Sequence, residues 1–137
     1  KGMVLSTDNY TELLLGFWTL HGDVGDYGMI QNLWKTEVYA MSRFLVNNLE
    51  NKEQAKALDE CIDAVPTDGL GITNSDLDQI GASSYEEVDK ILIHYLKNPN
   101  DISVLNLKVV QRKLASEFKR NNPYNIPRNK ITNEPYF

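Results

Sequence analysis

The chain has one cysteine, Cys61, among 137 residues. A lone thiol closes no disulfide within the chain and builds no cysteine-rich metal centre, and it suits a reducing compartment, so a cytoplasmic location is expected. In "ALDECIDAV", between Leu58 and Ile62, it reads as a small buried hydrophobe and not as a nucleophile. Histidines number two, His21 and His94, which leaves few imidazoles for a nucleophilic triad. No apolar run approaches the ~18 to 20 residues needed to cross a bilayer, so no membrane contact is expected, and no basic-then-apolar leader opens the sequence. Neither G-x-x-x-x-G-K-[ST] nor G-x-G-x-x-G occurs, and this absence speaks against nucleotide chemistry of the common kinds. There is no internal repeat and no run that reads as a strand of clear length, although the proline and asparagine punctuation of the tail leaves room for short strands.

What is present is acidic charge, unevenly spread. The net charge is -5, with residues 1–106 strongly acidic and the last helix and tail basic. An acidic surface attracts basic proteins and repels nucleic acid, while a basic end does the opposite.

Apolar spacing predicts helices. Ser6, Thr7 and Asp8 supply candidate caps for a first helix reaching about Leu20, which Gly22, Gly25 and Gly28 then break. From Met29 to about Leu49, Ile30, Leu33, Trp34, Val38, Met41, Leu45 and Leu49 fall at spacings of three and four, which makes this the expected central helix, with Trp34 and Met41 in the core. Ala55, Leu58, Cys61, Ile62 and Val65 line a third helix that Pro66 stops. The stretch 67–81 fails as a calcium loop, because its first ligand position would be Val65, and reads as a loop with a short helix begun by Thr73 or Asn74. Two overlapping capping boxes, Ser83 with Glu86 and Ser84 with Glu87, start a helix whose buried face is Val88, Ile91, Leu92, Tyr95 and Leu96 and which Pro99 ends. A last helix from about Ile102 to Arg120 buries Leu107, Val110, Leu114 and Phe118 and turns Lys108, Arg112 and Lys119 outward.

The expected architecture is therefore all-α: a single compact bundle of five or six helices over residues 1–120, followed by an extended, irregular C-terminal arm over 121–137.

The segment "HGDVGDYG" poses the main chemical question. His21, Asp23 and Asp26 offer one nitrogen and two carboxylates, enough with a fourth group for a divalent metal or for acid/base catalysis. The simpler account is a turn, with Gly22 left-handed, His21 at a helix C-terminus and Asp26 capping the next helix. His94, inside "ILIHYLK", reads as a hydrogen-bonded helical histidine and not as a general base.

The function expected from these residues is a non-enzymatic protein-binding domain with no cofactor and no bound metal. It would present an acidic face of Asp59, Glu60, Asp63, Asp76, Asp78, Glu86, Glu87 and Asp89 to a basic protein partner, in the manner of an inhibitor or immunity protein against a nuclease. Nucleic-acid binding by Lys108, Arg112, Lys119 and Tyr124 is the second expectation. An enzyme centred on His21, Asp23 and Asp26 is the third.

Overall fold

The computed structural model describes residues 1–22, 25–67, 69, 71–122, 125–127 and 130–132. It opens with something no periodicity announces. Strand β1 (Leu5–Ser6) lies parallel to β2 (Tyr27–Gly28), with Leu5 opposite Tyr27 and Ser6 opposite Gly28. Parallel strands need a crossover, and helix α1 (Tyr10–Leu15) with the loop after it provides one. The pair extends past its formal ends: Asp26 N–H donates to Val4 O at 2.8 Å, and Val4 N–H donates to the Asp26 carboxylate at 2.9 Å. Gly25 lies flush against β1, where a Cβ would collide with the backbone at Leu5 and Ser6. Its glycine is thus a packing requirement of the sheet and not a helix breaker, and Asp26 ties two strands together instead of capping a helix.

Helix α1 is shorter than its apolar pattern. Its cap is Asn9, whose side chain accepts from Glu12 N–H at 3.1 Å while the Glu12 carboxylate accepts from Asn9 N–H at 3.0 Å. It ends at Gly16, in the left-handed region at φ 70°. Among the described residues of the following loop, the left-handed one is His21, at φ 66°, and not Gly22.

Helix α2 (Lys35–Asn48) starts six residues later than its stripe suggests, with Trp34 N–H donating to Glu37 at 2.9 Å. None of its residues is fully buried; Met41 is 46% exposed, and α2 packs mainly against α3 (Lys52–Asp63). On α3 only Ala55 and Ile62 are buried, whereas Cys61 is exposed, which corrects its placement as a core residue. Helix α4 (Asp76–Ile80) is capped by Ser75, and α5 (Tyr85–Lys97) by Ser84. The Glu87 carboxylate accepts from Ser83 N–H and Oγ at 2.8 and 2.7 Å, so one shared cap replaces the two overlapping ones.

The expected last helix is three pieces: α6 (Ile102–Leu105), α7 (Lys108–Ala115) and α8 (Glu117–Arg120). The breaks rotate the faces, so that Val109 and Val110 are buried while Leu114 and Phe118 are exposed.

The core centres on α5, not α2. Leu14 and Leu15 of α1, Ile80 of α4, Tyr85, Val88 and Leu92 of α5 and Val109 of α7 form one buried cluster, flanked by Tyr10, Phe17, Trp34 and Tyr39. Burying each large aliphatic side chain contributes roughly 1.5–3 kcal/mol relative to exposure, which is why short helices with little intrinsic stability persist here. The chain is mostly helical, yet the parallel pair makes the all-α expectation wrong. The arm expected over 121–137 falls largely outside the described residues. Among the described residues no helix is long and apolar enough to cross a membrane.

Candidate active site

In open sheets with parallel strands, ligands bind in the crevice beyond the carboxyl ends of the strands. Here β1 runs into Thr7-Asp8-Asn9 and the start of α1, and β2 runs into the loop that leads to α2. At those ends lies a cleft of about 390 Å³, lined by Ser6, Asp8, Leu13, Trp18, Gly25, Gly28, Gln31, Lys119 and Arg120. Ser6 Oγ donates to the Asp8 carboxylate at 3.0 Å, so the strand end and the following loop hold each other.

The positive groups of the cleft are fixed by the backbone. Lys119 Nζ donates to Gly16 O at 2.7 Å and Trp18 O at 2.5 Å. Arg120 donates to Leu13 O at 3.0 Å and Leu14 O at 2.7 Å, and pairs with Glu117 at 2.9 Å. Arg112 Nε donates to Leu15 O at 3.1 Å and stacks 4.1 Å from the Phe17 ring centre. Three cations therefore close the C-terminal carbonyls of α1, where the helix dipole is negative. Charges held this way need no reorganisation to present a positive field to a ligand.

Beside the cleft stand the first turns of α1 and α2. Glu12 and Lys35 pair at 2.8 Å, with side chains 19% and 18% exposed. The Lys35 ammonium lies 5.6 Å and 5.4 Å from the ring centres of Tyr39 and Tyr85. Burial raises the pKa of both phenols, and the negative charge of Asp76 raises that of Tyr85 further, so both rings are neutral at physiological pH. Behind the pair Asp89 is buried and accepts from Thr11 Oγ1 at 2.6 Å and from Thr36 N–H and Oγ1 at 3.0 and 2.8 Å.

The residues singled out by sequence lie elsewhere or serve other ends. The exposed His21 ring sits 3.1 Å from Asn122 Nδ2, Asp26 accepts from Val4, and Asp23 lies outside the described residues. Among the described residues no group of three His, Cys, Asp or Glu side chains gathers to hold a metal. His94 Nε2 meets the Asp101 carboxylate at 2.7 Å.

Of the proposed acidic face, Asp59, Glu60 and Asp63 are exposed on α3, and Glu60 is 3.7 Å from Lys56. Asp78, Glu86 and Glu87 are exposed as well, but Asp76 faces the Tyr85 hydroxyl at 3.4 Å and Asp89 is in the core. Of the proposed nucleic-acid face, Lys108 is exposed, Arg112 and Lys119 are turned into the body, and Tyr124 lies outside the described residues.

Residues 1–123 match the model of the NAD synthase family. This chain belongs to that family. It is 35% identical to an NH(3)-dependent NAD(+) synthetase of Thermoplasma acidophilum over 127 residues, which is 91% of this chain and 48% of the relative. A Thermoplasma volcanium protein of the same description is 32% identical over 92% of this chain and 48% of its own length. One from Methanococcus aeolicus is 36% identical over 74% and 37%. The chain spans about half the length of the curated relatives it matches.

Membership in the NAD synthase family overturns two expectations. The family is one of enzymes, so the chain is not an inhibitor, an immunity protein or a nucleic-acid-binding module. Its fold is α/β, with β1 and β2 as its strands here, and not an all-α bundle. Of the cleft-lining residues, Asp8, Trp18, Gln31 and Arg120 were not expected as site residues from the sequence. The usable signal was a polar Ser-Thr-Asp-Asn run directly after a short apolar stretch, which is the composition of a strand end opening onto a helix.

Proposed function

We propose that this chain takes part in ammonia-dependent synthesis of NAD+, with the crevice at the carboxyl ends of β1 and β2 as its binding site. The observation that carries this is the 35% identity to an NH(3)-dependent NAD(+) synthetase over 91% of the chain. The crevice supports it in position and in chemistry. It lies where α/β sheets bind ligands, Trp18 gives it an aromatic wall, Asp8 and Gln31 give it polar atoms, and Lys119 and Arg120 give it a fixed positive field. NAD+ carries one carboxamide, on its pyridine ring. Ammonia incorporation therefore calls for a dinucleotide with a carboxylate at that position, activated by a nucleoside triphosphate. An exposed, unpaired Cys61 fits work in the reducing cytoplasm.

The test is to supply the protein with that carboxylate dinucleotide, a nucleoside triphosphate and ammonium, and to follow NAD+ by its reduction with a dehydrogenase. NAD+ that accumulates in proportion to ammonium, and falls by roughly tenfold or more in Asp8→Asn and Trp18→Ala, is the expected result. No ammonium-dependent NAD+ from the folded protein overturns the assignment.

A further inference from the structure

We propose that Asp89, on α5 and outside the crevice, is a positioning residue that sets the Glu12–Lys35 pair beside the strand ends. This rests on the assignment of the crevice as the site of NAD+ synthesis.

Asp89 is 3% exposed. Burying a carboxylate is costly unless hydrogen bonds satisfy it. What the carboxylate provides is two acceptor oxygens pointing at two different helices. Oδ1 accepts from Thr11 Oγ1 on α1, and Oδ2 accepts from both Thr36 N–H and Thr36 Oγ1 on α2. Thr11 Oγ1 in turn accepts from Lys35 N–H at 2.9 Å, so the two helix starts are also joined directly. Thr11 precedes Glu12 and Thr36 follows Lys35. Fixing the two threonines fixes the backbone from which the paired side chains spring, and their tips meet at 2.8 Å. Glu12 also closes onto Asn9, next to Asp8 at the cleft wall. Asp89 therefore reaches the cleft wall through the start of α1 and ties the start of α2 to it, without touching the cleft.

The experiment compares the full protein with Asp89→Asn. Asparagine keeps the shape but turns an NH2 toward one set of donors, so it can accept from only one of the two helices. Expected are a kcat roughly tenfold or more lower, a KM for ammonium within about twofold, unchanged circular dichroism, and faster amide exchange at Lys35 and Thr36 while Leu92 and Val110 keep their protection. A drop in Tm with activity per folded molecule unchanged overturns the proposal, because that is what a merely structural residue gives. If the wild-type protein makes no NAD+, the assigned function fails, and the exchange measurement decides on Asp89 alone: faster exchange confined to Lys35 and Thr36 supports it, and a uniform change or none overturns it. Should Asp89→Asn not fold, Thr36→Val removes one of the three bonds and is read the same way, with about a threefold lower kcat expected and no change in kcat counting against the proposal.

Discussion

Arg120 and Leu14 are 106 residues apart in sequence, and the guanidinium of one donates to the carbonyl of the other at 2.7 Å. The same side chain also reaches Leu13 O, Lys113 O and Ser116 Oγ. The end of α1 is thus closed by the end of α8, and the wall of the cleft is built by that closure.

Arg120→Ala is expected to lower unfolding stability by about 2–4 kcal/mol in urea titration, because it strands carbonyls of α1 away from water and removes bonds donated by a charged group. Arg120→Lys should recover only part, since an ammonium cannot span carbonyls on both α1 and α7 as a planar fork does. A loss below about 0.5 kcal/mol, the usual range for an exposed surface change, would show that the closure contributes little.

Gly16 sits at φ 70°, and a Cβ there would lie 2.5 Å from Ser116 Cβ. Alanine at this position must bear both left-handed backbone strain of about 1–2 kcal/mol and a shift of α8. Gly16→Ala is expected to cost more than the strain alone, measured by chemical denaturation, and to slow the proposed NAD+ formation because Trp18 and Lys119 move with it.

Glu117 lies between Lys113 and Arg120, at 2.7 and 2.9 Å. The hydrogen bonds from Lys113 and then Arg120 pull its pKa from 4.5 to about 2. A carboxyl with a depressed folded pKa contributes stability that is fully present above its unfolded value and is lost as pH falls through the folded one. The contribution of Glu117 should therefore hold above about pH 5 and decline toward pH 2, and Glu117→Gln should flatten that part of the stability curve. Because the side chain is 45% exposed, solvent and salt screen the effect, and added salt should shrink the difference between the two proteins.

Leu92 is fully buried on α5, whereas Phe44 on α2 is 65% exposed. Leu92→Ala should cost about 2–5 kcal/mol through lost burial and the cavity left behind, and Phe44→Ala less than about 0.5 kcal/mol. Equal costs in thermal or urea unfolding would place the core on the wrong helix.

The sequence by itself determined the helices whose ends are locally marked. Ser84, Glu87 and Pro99 bound α5, and Val88, Ile91 and Leu92 name its buried side, because caps and a 3.6-residue stripe are interactions within one turn or two. It also determined that Pro66 stops α3. Tertiary structure decided the rest. Strands β1 and β2 are two residues long and exist only through bonds made to each other across some twenty residues of chain, so no alternation could reveal them. The stretch 102–120 is three helices, and Arg112, Lys119 and Arg120 of the last two donate to carbonyls at the end of α1, partners about 100 residues away in sequence. Asp89 stands among acids read as a surface and is buried, since what makes a buried carboxylate tolerable is Thr11 and Thr36 arriving from two other helices. Charge is a property of a residue, but whether that charge meets solvent, a helix end or a ligand is settled by the neighbours that folding brings to it.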